Sequence, residues 1–193
     1  MPTFNETTDE SLDLLNPDIC KAYLSGSCIC INETKKEGMA DISLTISLPS
    51  IHIKAIDKHT FDILKQKRCA DHLILSYNAS QNAWSVHIFE LTKTISFSNW
   101  TDKILPQLEG AIGNAYAISG ILHINSFEAF YLHCGYRRNK SESSTVEFHR
   151  PLGEPVEDDW LTAPINLSAF PEITTQSQPI RLDPETGRGE MKI

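Results

Sequence analysis

No stretch of this sequence approaches the roughly 20 consecutive apolar residues that a membrane-spanning helix needs, so no membrane association is expected. A secretory leader is also missing: the first residues, MPTFNETTDESLDLL, are acidic and lack an apolar core segment, which predicts a cytoplasmic protein. Positive charge is in short supply. Seventeen Lys and Arg against 25 Asp and Glu give a net charge of −8, and this argues against a free-standing nucleic-acid binder with a broad basic face. Cysteines number five, an odd count, at positions 20, 28, 30, 69 and 134. Cys28 and Cys30 are not a CxxC pair, and no second pair follows at finger spacing, so neither structural zinc nor a disulfide framework is expected. Long internal repeats are absent as well.

What is present is a set of alternating segments in the first two thirds of the chain. Met39 to Leu48 places Ile42, Leu44, Ile46 and Leu48 on one face and Ser43, Thr45 and Ser47 on the other, which predicts a half-buried strand. Pro49 interrupts it, and Ile51 to Ile56 alternates again. Cys28 to Ile31 is β-like. Near the start, Ser11 is placed to cap a short helix stopped by Pro17, and residues 17–24 suggest a further helical turn.

The most informative stretch runs from Cys69 to Thr94. Two apolar strands, Asp71 to Tyr77 and Trp84 to Leu91, flank the polar turn YNASQN and predict a hairpin. An Asp then lies near the open end of one strand and a Glu near the open end of the other. Acids at strand ends are often solvated punctuation. Two that meet also form a pair of hard oxygen donors suited to a divalent cation. Past the hairpin, Trp100 to Ser119 predicts a helix, with Leu108, Ile112, Ala115 and Ser119 on one stripe. Phe127 to Tyr136 reads as another strand, so the order strand, strand, helix, strand implies a crossover and a mixed α/β (α+β) sheet covered by that helix.

A strand opening on Asp71, a turn, a strand carrying Glu90-Leu91 and an amphipathic helix together resemble the core of the PD-(D/E)XK nucleases, the restriction-endonuclease-like superfamily. The resemblance covers about Ile51 to Arg138. It implies that Asp71 and Glu90 bind Mg2+ (or Mn2+), that a Lys two residues after the Glu activates water, and that a helix glutamine, here Gln107, points back to the site. Position 92 is Thr where the pattern has Lys. Lys93 is adjacent, but side chains alternate along a strand, so Glu90 and Thr92 share a side and Lys93 is turned away.

From Asn139 onward the sequence becomes polar and proline-rich, with scattered Trp160, Leu161, Ile165, Leu167 and Phe170. Residues 1–138 are therefore expected as a nuclease-like domain, and 139–193 as an extended, partly disordered C-terminal arm that anchors a protein partner. Two functional readings compete. One is an active Mg-dependent endonuclease cleaving DNA, with Lys93 or Lys54 in place of the missing lysine. The other is a nuclease-fold subunit with lost or weakened chemistry, and Thr92, the net charge and the arm favour it. A chance match of two acids is the third and weakest reading. A bacterial defence role is what the resemblance implies.

Overall fold

The computed structural model describes residue 4 and residues 6–33, 40–54, 69–139, 165 and 167–193. Its described residues form a mixed α+β architecture with two mixed sheets and few helices. In chain order the elements are helix α1 (Glu6–Leu12) and strands β1 (Cys20–Tyr23), β2 (Cys28–Glu33), β3 (Ala40–Thr45), β4 (Ser50–Lys54), β5 (His72–Asn78) and β6 (Ala83–Ile95). Then follow a short helix α2 (Phe97–Asn99), a π-helical turn (Trp100–Ile104), helix α3 (Leu105–Ile121) and strands β7 (Phe127–Asn139), β8 (Thr175–Arg181) and β9 (Arg188–Lys192).

The larger sheet has the order β1-β4-β5-β6-β7-β8 and the smaller one β2-β3-β9. β1, β4, β5 and β6 pair antiparallel in succession. β6 to β7 and β7 to β8 are parallel. The expected hairpin is thus β5 and β6 as antiparallel neighbours, and α3 is the crossover that carries the chain from β6 to its parallel partner. The turn between them follows from its residues. The Asn78 carboxamide oxygen accepts from the Ser80 backbone N–H at 3.1 Å, and Asn82 takes φ 50°, a conformation Asn tolerates well.

Alternation decides which side chains meet. Val86 and Ile88 of β6, Leu73 and Leu75 of β5 and Leu132 of β7 face α3, where Leu108, Ala111, Ile112 and Ala115 complete a core. Phe89, Leu91 and Ile74 face the other way and meet Ile29, Ile31, Ile42 and Leu44 of the small sheet. β3 shows why the pattern was readable: Ala40, Ile42 and Leu44 are buried, and Asp41, Ser43 and Thr45 are exposed. The regular strand ends at Thr45, but Ile46 remains buried.

Three expectations need correction. Residues 17–24 do not form a helical turn throughout, because Cys20–Tyr23 is the edge strand β1. Ser11 does not open a helix. It lies in the last turn of α1, where its hydroxyl donates to the Thr7 carbonyl at 2.8 Å. The described residues of the C-terminal stretch are not an arm apart from the domain. β8 extends the large sheet beside β7, and β9 pairs parallel with β3 in the small one. Ile165 and Leu167 join the α3 core, and Leu182 joins the core between the sheets. The sequence hid this because β8, TQSQPIR, is polar and contains Pro179, which an edge strand accommodates and a central strand does not. Trp160 and Leu161 lie outside the described residues.

Candidate functional site

His72 stands opposite Phe89 in the β5–β6 register. Continuing that antiparallel ladder by one residue sets Asp71 opposite Glu90, on the face that α3 covers. Both carboxyl groups are buried, Asp71 at 8% exposure and Glu90 at 3%. Asp71 Oδ2 accepts the Leu91 backbone N–H at 2.9 Å, which fixes its carboxylate across the strand pair. Glu90 is in turn the register partner of Cys134 on β7. The Cys134 thiol is pushed far up from its ordinary range, first by burial and then by the negative charges of Glu90 and Asp71, with Lys103 pulling the other way.

α3 closes this side. The Gln107 amide donates to the Cys69 carbonyl at 3.4 Å, two residues before Asp71, and the Asn114 amide donates to Cys69 Sγ at 3.0 Å. Gln107 Oε1 and Asn114 Oδ1 are buried without a hydrogen-bond partner among the described residues. Gln107 thus lies against the residues that lead into Asp71.

The remaining sequence candidates fall where alternation sends them. Thr92 is half-buried, two residues beyond Glu90 on the same strand face, and its hydroxyl donates to the Thr94 carbonyl at 3.2 Å. Lys93 is exposed and belongs to the opposite face. Lys54 is the register partner of His72, which also places it on the face away from α3. Beyond Thr92, a cleft of about 400 Å³ opens at the end of β6, lined by Thr94, Ser96, Ser98, Asn99, Asp102 and Lys103.

Lys103 is the site residue that sequence reasoning missed. A signal was available: it precedes Gln107 by four residues, which on a helix is the same face one turn away. Cys134 was missed for a different reason: the crossover to β7 was legible, but nothing in the sequence marks the register that pairs Cys134 with Glu90.

A second polar layer lies on the opposite face of the large sheet. His52 Nε2 and His72 Nδ1 are 3.1 Å apart, as are His87 Nδ1 and His133 Nε2, and all four rings are buried. His133 stacks on Phe89 with ring centroids 4.4 Å apart. Burial, with smaller contributions from His72 and Lys54, lowers His52 to about 3. Burial lowers His87 to about 4, and burial with the neighbouring His87 holds His133 well below its ordinary value. His52 is therefore part of a buried, hydrogen-bonded pair.

Asp71 and Glu90 form a donor set that suits Mg2+ or Mn2+, since Mg2+ is commonly held by one or two carboxylates with water and substrate phosphates completing the shell. No group of three or more His, Cys, Asp or Glu side chains placed to hold a metal ion occurs among the described residues. No helix there is long and apolar enough to cross a membrane. No protein-family model, curated protein or solved structure matches the chain.

Proposed function

We propose that this chain is a nuclease-fold protein of the PD-(D/E)XK kind, with weak or no chemistry of its own, that serves as a protein-binding subunit of a bacterial defence system. The observation that carries this reading is the hydrogen bond from the Leu91 N–H to Asp71, which ties the buried Asp71 to β6 beside the buried Glu90, with Thr92 two residues beyond Glu90. The antiparallel β4-β5-β6 run, the parallel β7 and the crossover helix support the restriction-endonuclease-like core implied by the sequence. Ile165, Leu167 and Phe170 pack on this chain's own core, and Trp160 and Leu161, also expected to anchor a partner, lie outside the described residues.

Asp71 and Glu90 would hold the divalent cation, which when bound polarises a phosphodiester oxygen and lowers the pKa of water. The Leu91 N–H orients the Asp71 carboxyl group. Thr92 offers a neutral hydroxyl already engaged with the Thr94 carbonyl, so it neither carries positive charge to the site nor relays a proton as a lysine would. Loss of a positioned acid–base group costs about 10²–10⁴-fold in rate. One observation favours the active-endonuclease reading: Lys103 lines the cleft that opens at the end of β6, beyond Thr92.

Incubation of the purified chain with plasmid DNA and Mg2+ or Mn2+ separates the two. Trace or no cleavage is expected, with at most a slight gain in Thr92→Lys. Robust cation-dependent cleavage by the wild type, abolished in Glu90→Ala, would make the chain an enzyme and end the subunit reading.

A further inference from the structure

Cysteine is among the residue types most often buried, so two exposed free cysteines on one short strand are unusual. Cys28 and Cys30 stand two residues apart on β2, where exposed and buried positions alternate. Ile29 and Ile31 fill the core between the sheets, and this holds both thiols on the outer face. Pairing with β3 fixes the backbone beneath them, with Cys28 opposite Thr45 and Cys30 opposite Ser43. Cys28 Sγ lies 3.3 Å from Ser43 Oγ, and the Cys30 thiol donates to Asp41 Oδ1 at 3.9 Å. On the same face Asp41 and Glu190 are balanced by Arg188 and Lys192, so a small cation meets no strong opposing field. The other three cysteines are elsewhere: Cys20 is half-buried on β1, and Cys69 and Cys134 are buried in the core that α3 covers.

Same-face neighbours on a strand stand about 6.6 Å apart, twice the rise per residue. A disulfide needs its two Cβ atoms about 3.5–4.5 Å apart, so closing one here would pucker the strand. A metal ion between the two sulfurs is less demanding. At about 2.3 Å per metal–sulfur bond, a linear sulfur–metal–sulfur unit spans about 4.6 Å, which side-chain rotation alone reaches. Thiolates select soft cations. No group of three or more His, Cys, Asp or Glu side chains is placed to hold a metal ion among the described residues, so the four ligands of a structural zinc are not assembled, whereas Cu(I) is satisfied by two thiolates. We propose that Cys28 and Cys30 form a two-coordinate clip for a soft monovalent cation, Cu(I), on the outer face of the small sheet. Binding breaks two S–H bonds, forms two Cu–S bonds and releases two protons, with no change in oxidation state. The small sheet lies on the face of the large sheet away from α3, so the clip is independent of the reading given for Asp71 and Glu90.

The test is a titration of the full chain, reduced and held without oxygen, with Cu(I) in competition with a chromophoric Cu(I) chelator. One Cu(I) held per chain is the expected result, with two sulfur ligands and no others in the X-ray absorption spectrum. Cys28→Ser and Cys30→Ser each weaken binding about 10²-fold or more, because a single thiol loses the effective concentration of the second. Cys20→Ala leaves the affinity unchanged. Cys28 and Cys30 are exposed and serine is close to cysteine in size, so both variants keep the fold, which circular dichroism checks. Wild-type affinity in either serine variant, loss of binding in Cys20→Ala, or a spectrum with three or four ligands overturns the clip. Failure of the wild type to take Cu(I) from the chelator overturns it as well.

Discussion

Lowering the pH from 7 to 4 is expected to destabilise the protein enough to unfold it. His52, His87 and His133 are buried, and their folded pKa values are lowered, to about 3 for His52, about 4 for His87 and well below the ordinary value for His133. The sign follows from proton linkage. Below about pH 6.5 the unfolded chain binds protons at these rings and the folded chain does not, so stability falls as pH falls. The loss continues down to about pH 4 for His87 and about 3 for His52. Each such histidine contributes about 1.4 kcal/mol per pH unit, so three together lose on the order of 4 kcal/mol per unit. A domain with roughly 5–15 kcal/mol of stability does not withstand two units of that slope easily. The paired arrangement adds to the effect, since a ring pair joined N to N cannot accommodate a proton on both partners. Urea midpoints measured from pH 7.5 to 4 would fall steeply below 6.5, and His87→Gln would flatten the slope by about one histidine's share. A midpoint constant between pH 7 and 5 would show that these rings are hydrated rather than buried.

Removal of residues 165–193 is expected to abolish cooperative folding. The deletion takes away β8 and β9, and with them the buried Ile165, Leu167 and Leu182. Three such side chains represent roughly 5–9 kcal/mol of burial, comparable to the whole stability of a domain. Leu182 is the tie between the sheets. Its N–H donates to the Tyr136 carbonyl at 2.8 Å, and its side chain fills the space left by two glycines. A Cβ at Gly135 would stand 2.7 Å from Leu91 Cδ2, and one at Gly189 would stand 2.6 Å from Leu182 Cδ2, so a larger residue at either position would force these leucines to shift. Arg137 adds a further connection by donating to the Pro184 carbonyl at 3.0 Å. The truncated chain should give a broad, non-cooperative denaturation curve. A sharp transition near the full-length midpoint would mean that the C-terminal strands are dispensable.

The difference between these expectations and a sequence-based arm is instructive. Ile42, Leu44 and Val86 announced their strands because each is flanked by polar residues, and Leu73 and Ile88 because they lie in short apolar runs of strands buried on both faces. Leu108, Ile112 and Ala115 announced α3 in the same way. β8 and β9 carry no such mark. β8 is buried mainly by neighbours on one side, and β9, RGEMK, has only intermediate and exposed positions. Their place is set by long-range pairing with β7 and β3, and that information resides in the partner strands. The candidate site divides along the same line. Asp71 and Glu90 were legible because a short turn fixes their register. The spacing of Lys103 from Gln107 and the crossover to β7 were legible, whereas the π-helical turn and the register that sets Cys134 beside Glu90 leave no local pattern. The buried histidine pairs were invisible because their members lie 20 and 46 residues apart.

The most direct test is a calorimetric titration of the full chain with Mn2+, on the wild type and on Asp71→Asn, Glu90→Gln and Lys93→Met. A shared carboxylate site predicts binding of Mn2+ to the wild type and to Lys93→Met, and loss of that binding in both carboxamide variants. Equal heats for the wild type, Asp71→Asn and Glu90→Gln would contradict it and leave the two acids as buried structural groups.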